Sequence, residues 1–125
     1  MWKFFNPNPL GRRVGDCSIR ALCAALDLDW DTVHDLTSRM SKHMGDVQSS
    51  DDAWGAVLRQ HGFVKRMLPD RCPDCYTAGD FARDNPKGTF LLAFSGHVST
   101  IRDGVIMDTY NTSNEIPIYV WMRKE

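Results

Sequence analysis

Three features that would indicate particular functions are missing from this chain. It has no block of lysine and arginine residues, and its formal net charge is only −1, so it lacks the electrostatic footprint of a nucleic-acid-binding protein. Its longest apolar stretches, Ala21 to Leu26 and Phe90 to Phe94, are far shorter than the roughly 20 residues that span a bilayer. No repeat or low-complexity tract divides the sequence. We therefore expect one compact domain over residues 1–125, with no nucleic-acid or membrane partner.

The beginning of the chain does not have the pattern of a secretory signal peptide. Met1 to Phe5 leads directly into the turn-forming Asn6 to Pro9, without an apolar core segment. We therefore expect a cytoplasmic protein, and a reducing compartment would keep its thiols free of disulfides. Each cysteine then requires its own explanation. The four cysteines are Cys17, Cys23, Cys72 and Cys75.

The order of the predicted elements indicates an α+β domain. Helical periodicity and helix-end signals occupy the first half, whereas short β-branched and aromatic runs separated by Gly and Asp occupy the second. Helices followed by strands are typical of an α+β domain with an antiparallel sheet. The predicted helices are Cys17 to Leu26 or Asp27, Trp30 to Met44, Asp51 to His61 and a short helix after Thr77. The predicted strands are Thr89 to Phe94, His97 to Arg102, Val105 to Tyr110 and Ile116 to Met122, with Phe63 to Leu68 as a possible edge.

The position of Cys17 at the start of the first helix suits a nucleophile. Unpaired N–H groups and the positive end of the helix dipole favour a thiolate there, and the thiolate is the reactive form. Asp16 is the predicted N-cap, and its negative charge opposes thiolate formation. Cys23 lies on the buried stripe of the helix, and we expect it in the core. The alternative to a nucleophilic role for Cys17 is that it too only packs against its neighbours. Three nearby arginines can offset the charge of Asp16: Arg12, Arg13 and Arg20.

His97 is the strongest candidate for the base that would activate this thiol. His34, His43 and His61 fall on predicted helices or at their ends among polar neighbours, where we expect solvated side chains. His97 instead begins a strand that leads to Asp103-Gly104, the strongest short-range signal for a two-residue hairpin turn. The sequence therefore predicts a β-hairpin that carries His97 on its first strand.

The register of this hairpin predicts an acidic partner for His97. A two-residue turn places His97 and Asp108 on one face as diagonal neighbours, about 7–8 Å apart at the backbone, which lets an imidazole and a carboxylate bond. Asn111, the rival orienting residue, would face away. A one-residue slip would reverse Asp108, so the prediction depends on the turn having two residues. The predicted pairs are Arg102 with Val105, Ser99 with Asp108, and His97 with Tyr110.

A thiol, an imidazole and an acid arranged in this way constitute a nucleophile, a base and an orienting group. In the predicted mechanism His97 holds or takes the Cys17 proton, and the thiolate attacks an acyl carbon. The resulting thioester is hydrolysed by water, with His97 again acting as base. Asp108 would keep the imidazole in the useful tautomer.

Short motifs around these residues resemble the papain-like cysteine peptidases, especially compact bacterial and phage forms and the peptidase domains of bacteriocin-processing exporters. The matching segments are Gly15 to Ala21, Gly96 to Val98 and Asp108 to Tyr110, and the order Cys, His, Asp is the family order. Asp27 to Pro86 carries no matching motif. The resemblance implies a papain-like fold, a thiol protease with a catalytic triad, a protein or peptide substrate, and no cofactor.

One position departs from this family pattern. These peptidases usually carry a glutamine about six residues before the cysteine, where it completes the oxyanion hole, and Gly11 stands there in this chain. Asn6 and Asn8 have the required amide donor, and the Pro-rich turn could bring either of them over the thiol. Both are therefore candidate oxyanion donors.

Two remaining groups of residues have structural explanations. Cys72-Pro73-Asp74-Cys75 has the spacing of half a zinc site, with His61 as a possible further ligand. A full site normally has four ligands, so we expect an incidental loop pair and no metal. The aromatic residues Trp2, Phe4, Phe5 and Trp121 are expected mainly in the core, with some lining a substrate groove.

Two other classes of function stay open at the level of sequence. The same thiol chemistry serves deamidases, transglutaminases and other acyltransferases, as well as enzymes that remove ubiquitin-like modifiers through an isopeptide bond. A catalytically idle papain-like protein that binds a partner on the same surface is the more distant alternative. Covalent labelling of Cys17 that disappears in His97→Ala would support an enzyme, whereas equal labelling would indicate an ordinary exposed thiol.

Overall fold

A computed structural model of the protein describes residues 1–68 and 76–123. Within these two ranges the chain forms four helices and six strands. The helices are α1 (Cys17–Leu26), α2 (Trp30–Met44), α3 (Asp51–Gln60) and α4 (Ala78–Asp84). The strands are β1 (Trp2–Phe4), β2 (Phe63–Met67), β3 (Thr89–Phe94), β4 (His97–Arg102), β5 (Val105–Asp108) and β6 (Tyr119–Arg123). The predicted α+β class is confirmed.

Local signals explain where the helices begin and end. The carboxylate of Asp29 accepts a hydrogen bond from the Thr32 N–H at the start of α2, and Gly45 ends this helix in the left-handed conformation. Thr77 and Asp80 form a capping box at the start of α4. Because these signals lie within a few residues of each boundary, the helix limits predicted from the sequence agree with the structure to within one residue.

The six strands form one sheet in the order β1-β5-β4-β3-β6-β2. Neighbouring strands are antiparallel except for β1, which pairs with β5 in parallel. The expectation of a purely antiparallel sheet was therefore wrong, and the sheet is mixed. Strand β2 lies at an edge, as predicted.

The short strand β1 accounts for the main difference from the sequence-based expectations. Trp2 and Phe4 were expected in the core, but they are 39% and 47% exposed, because β1 lies at the edge of the sheet. The strand predicted for Val105 to Tyr110 ends at Asp108, and the last strand begins at Tyr119 instead of Ile116. Pro117 has no N–H for a sheet hydrogen bond, which is consistent with the later start.

Helices cover both faces of the sheet. Helices α1, α2 and α3 pack on one face, where alternate strand residues such as Leu91 and Trp121 are buried. Helix α4 packs on the other face against Leu92, Ile101 and Ile106. Helix α1 packs closely on β4, and the candidate site is found where these two elements begin. Across residues 1–68 and 76–123, no helix has the length and apolar character needed to cross a membrane.

Candidate active site

Helix α1 brings Cys17 to the end of the sheet where β4 begins. One face of this helix carries Ala21 and Ala24, both buried, and such small side chains let the sheet approach closely. The Thr100 hydroxyl of β4 donates a hydrogen bond to the Ala21 carbonyl at 2.6 Å. Cys17 itself is only partly buried, so its thiol is accessible from solvent.

Asp16 is the N-cap residue of α1, as predicted, but its side chain does not cap the helix. Its carboxylate makes no hydrogen bond to the helix N–H groups, contrary to the expectation from sequence. It accepts instead from the Arg20 guanidinium at 2.7 Å and from the Trp30 indole N–H at 2.9 Å. A buried cation is the stronger partner for a buried carboxylate. The N–H groups of the first turn are therefore not occupied by the Asp16 side chain.

The β4–β5 hairpin has the predicted register. Asp103 and Gly104 form its turn with φ values of 49° and 78°, the left-handed conformation that a type I′ turn requires at both positions. Arg102 pairs with Val105, which confirms the predicted starting pair. Since β4 begins at His97 and β5 ends at Asp108, both residues lie at the end of the hairpin remote from the turn.

His97 and Asp108 form a direct hydrogen bond. The distance from His97 Nε2 to Asp108 Oδ2 is 2.7 Å. With Nε2–H as the donor to this carboxylate, Nδ1 is the ring nitrogen left for the thiol. The imidazole also contacts the Phe94 and Tyr110 rings, at centroid distances of 6.2 and 5.1 Å. These contacts restrict the ring to one orientation.

Asp108 is only 1% exposed and is fully paired. Its Oδ1 accepts from the Arg20 guanidinium at 3.0 Å and from the Thr109 N–H at 2.7 Å. Its Oδ2 accepts from His97 and from the Ser99 hydroxyl. Burial raises the pKa of the Asp108 carboxyl, but hydrogen bonds from His97 and Ser99 outweigh it and hold the pKa below the usual value. Asp108 is therefore ionised at neutral pH.

The same interactions set the ionisation of the thiol and the imidazole. Burial disfavours the imidazolium, but hydrogen bonds to Asp108 and Cys17 raise the pKa of His97 to about 9. Burial likewise disfavours the Cys17 thiolate, but a hydrogen bond from His97 and its positive charge lower the pKa of this thiol. Opposite shifts in a contacting pair favour the thiolate–imidazolium form.

Sequence reasoning did not identify Arg20 as part of this site. It is 5% exposed and bridges Asp16 and Asp108, with Nη1 on the former and Nη2 on the latter. Its spacing of four residues from Asp16 was the available signal. No feature of the sequence near Arg20 indicates its contact with Asp108, which lies 88 positions away. The predicted register placed Ser99 on the correct face of the sheet but gave it no role. Its hydroxyl oxygen lies 3.2 Å from the hydroxyl oxygen of Thr112, and the two form a hydrogen bond.

A cleft of about 250 Å³ opens beside the thiol and the imidazole. Asn6 and Asn8 are not among its lining residues. The Asn6 amide donates to the Arg12 carbonyl at 3.2 Å, and the Asn8 side chain accepts from the Leu10 N–H at 2.9 Å. Their role as oxyanion donors stays a prediction. The cleft is lined by Gly15, Cys17, Ser18, Ser49, Asp51, Trp54, Phe94, Gly96, His97 and Val98.

The other candidate residues lie away from this site. Cys23 is buried in the core, and burial raises the pKa of its thiol to about 12. Asn111 is exposed, and its side chain accepts from the Ser113 N–H. Cys72 and Cys75 lie outside the described residues. Within the described part of the chain, no group of three or more His, Cys, Asp and Glu residues could hold a metal ion.

The structure thus brings together Cys17, His97 and Asp108 from the start of a helix and two neighbouring strands. His43 and His61 are exposed, and His34 stacks on Trp30 at 5.0 Å. Comparisons of the chain with protein-family models, with curated proteins and with solved structures gave no match. The candidate site therefore rests on the residues and geometry of this chain.

Proposed function

We propose that this protein is a papain-like cysteine peptidase, a thiol hydrolase that cleaves a peptide or isopeptide bond through a thioester. The observation that carries the proposal is the position of the His97 imidazole, which lines the same cleft as the Cys17 thiol and lies 2.7 Å from Asp108. The papain-like assignment is supported by the packing of a cysteine-bearing helix start against a sheet that carries the histidine. A protein or peptide is the proposed substrate.

The first chemical step is attack by the Cys17 sulfur on the carbonyl carbon. The C–S bond forms, and the carbonyl electron pair moves to oxygen to give an oxyanion. The Cys17 N–H at the start of α1 is suited to stabilise this charge, because such N–H groups lack partners within the helix. When the tetrahedral intermediate collapses, the C–N bond breaks and His97 gives its proton to the leaving amine.

The second step is hydrolysis of the thioester. A water molecule loses a proton to neutral His97 as its oxygen attacks the acyl carbon, and the acid leaves as the C–S bond breaks. His97 must therefore act as acid and base at the same nitrogen. The hydrogen bond from Nε2 to Asp108 serves this cycle because it holds Nδ1 towards the sulfur throughout.

Alkylation of Cys17 by iodoacetamide tests the proposed thiolate–imidazolium pair. At about pH 6 we expect His97→Ala to slow this alkylation at least about tenfold, because each unit of pKa changes the thiolate fraction tenfold. His97 supplies both of the leading influences that lower the pKa of Cys17. Peptide mapping by mass spectrometry measures each cysteine separately, so Cys72 and Cys75 do not interfere.

Two controls belong to this measurement. His43→Ala removes an exposed histidine of α2 and should leave the alkylation rate of Cys17 unchanged. Cys23, whose pKa is raised to about 12, should stay unmodified while the protein is folded. Equal alkylation rates in His97→Ala and the wild type would overturn the proposed site. Rapid, His97-dependent labelling without turnover of any peptide would favour the idle binding protein instead.

The pH dependence of turnover should differ from that of alkylation. Turnover is expected to rise as Cys17 ionises and to fall above about pH 9, where His97 loses the proton that the leaving amine needs. Alkylation needs only the thiolate, so its rate should not fall above that pH.

Because the pKa of His97 is raised from 6.5, the imidazolium also stabilises the fold fully below about pH 6.5, and this contribution is lost as pH rises through about 9. Rate profiles and urea unfolding across this range measure both effects.

A further inference from the structure

Part of the wall of the cleft that contains the reacting pair is formed by the start of α3. Ser49 and Asp51 line the cleft there, together with the buried indole of Trp54. Phe94 lines it next to His97. The cleft is therefore apolar in part and carries one carboxylate that the proposed chemistry does not use.

The Asp51 carboxylate has free capacity for a ligand. Its Oδ2 accepts one hydrogen bond, from the Tyr119 hydroxyl at 3.0 Å, whereas an ionised carboxylate can accept about four. Within residues 1–68 and 76–123, no lysine or arginine forms an ion pair with it. Lys65 lies nearby but is placed over the Tyr119 ring at 4.0 Å. Asp51 itself is exposed, so a ligand can reach it.

The charges that line the cleft favour a cation. None of the described residues that line it is a lysine or an arginine, and a thiolate–imidazolium pair is neutral overall. Asp51 therefore carries the only net charge among them. The N-terminus of α3 alone would favour an anion, but Asp51 and Asp52 occupy its first turn. The apolar surfaces of Trp54 and Phe94 suit the aliphatic stem of a long basic side chain.

Building on the proposed hydrolase, we infer that Asp51 forms a subsite for a lysine or arginine side chain next to the bond that is cleaved. The aliphatic stem packs against Trp54 or Phe94, and the charged end donates to the Asp51 carboxylate. Asp51 is then a specificity-determining residue that contacts substrate without taking part in bond cleavage.

Tripeptidyl chloromethyl ketones test this subsite through the rate at which they alkylate Cys17. The probe set carries lysine, the uncharged norleucine or glutamate at one of its three positions, with alanine at the others. At one position the lysine probe should react about three- to fivefold faster than the norleucine probe, the size expected for one accessible ion pair. This ratio should decrease as salt is added. Asp51→Asn keeps an acceptor for Tyr119 and should abolish the preference, whereas Asp52→Asn should retain it.

Each outcome has a definite meaning. If no probe alkylates Cys17 in a His97-dependent manner, the proposed hydrolase itself fails. If alkylation depends on His97 but lysine has no advantage at any position, or keeps it in Asp51→Asn, the subsite is wrong and the hydrolase stands. Asp51→Lys supplies a second test, because it should reverse the preference towards the glutamate probe. Circular dichroism of each variant checks that the fold is retained.

Discussion

Asp108→Asn is expected to lower peptide turnover by about 10⁴-fold, the loss seen when the aspartate of a Ser-His-Asp protease becomes an amide. The surroundings of Asp108 explain why an amide would fail. Three N–H donors converge on Oδ1, two from Arg20 and one from Thr109. The amide oxygen must occupy that position, because an NH₂ group there would point its hydrogens at these N–H donors and could not accept from them.

The side chain introduced by Asp108→Asn therefore has one orientation, with its NH₂ group facing His97 Nε2. That ring nitrogen could no longer donate, so the proton of the neutral imidazole would move to Nδ1, the nitrogen that must act as base towards Cys17. The thiol would lose its proton acceptor. Turnover of a cleaved peptide, with unfolding by urea as a check on stability, measures the effect.

Ser99→Ala is the matched control for this prediction. The Ser99 hydroxyl donates to the same Oδ2 that accepts from His97, but its removal leaves the tautomer of His97 unchanged. We expect a loss of turnover far smaller than that of Asp108→Asn. Unchanged turnover in Asp108→Asn would remove this residue from the mechanism, and equal losses in both variants would indicate a general disturbance of the site.

Arg20→Met is expected to destabilise the fold by about 3–5 kcal/mol at neutral pH, because it removes one partner of a buried ionic network. The Arg20 side chain is 6% exposed, and its partners Asp16 and Asp108 are 4% and 1% exposed. Methionine fills similar space but leaves two buried carboxylates without their shared cation. Equilibrium unfolding in urea measures the change in the free energy of unfolding.

Arg83 provides the comparison for Arg20. It also contacts two carboxylates, those of Asp80 and Asp84, but its side chain is 70% exposed. Water screens these charges and solvates them when the partner is removed. Arg83→Met should therefore leave the urea midpoint nearly unchanged. A similarly small effect of Arg20→Met would show that the Asp16–Arg20–Asp108 network does not stabilise the protein.

The elements that the sequence predicted well are those whose signals are local. Helix α2 has its capping aspartate and its terminal glycine within a few residues of its ends. The β4–β5 hairpin is similar, because two adjacent residues, Asp103 and Gly104, set the turn and hence the register. This register is enough to place His97 and Asp108 on one face of the sheet.

Two features were misassigned because they depend on contacts that form in the folded protein. The parallel pairing of β1 joins Trp2 to Ile106, and nothing near Trp2 indicates a partner so far along the chain. Asp16 was expected to cap α1 because Asp is favoured at that position. Its carboxylate turns to Arg20 and Trp30 instead, since all three side chains meet only in the folded protein.

The sequence by itself determined the helix limits, the hairpin turn and the face shared by His97 and Asp108, because hydrogen bonds between near neighbours govern each of them. Only the tertiary structure decided that Cys17 and His97 meet at one cleft, that Arg20 joins Asp16 to Asp108, and that Asp51 lines the same cleft. These contacts connect groups up to 88 positions apart. They form when burial of the apolar faces of α1 and the sheet brings the two halves of the chain together.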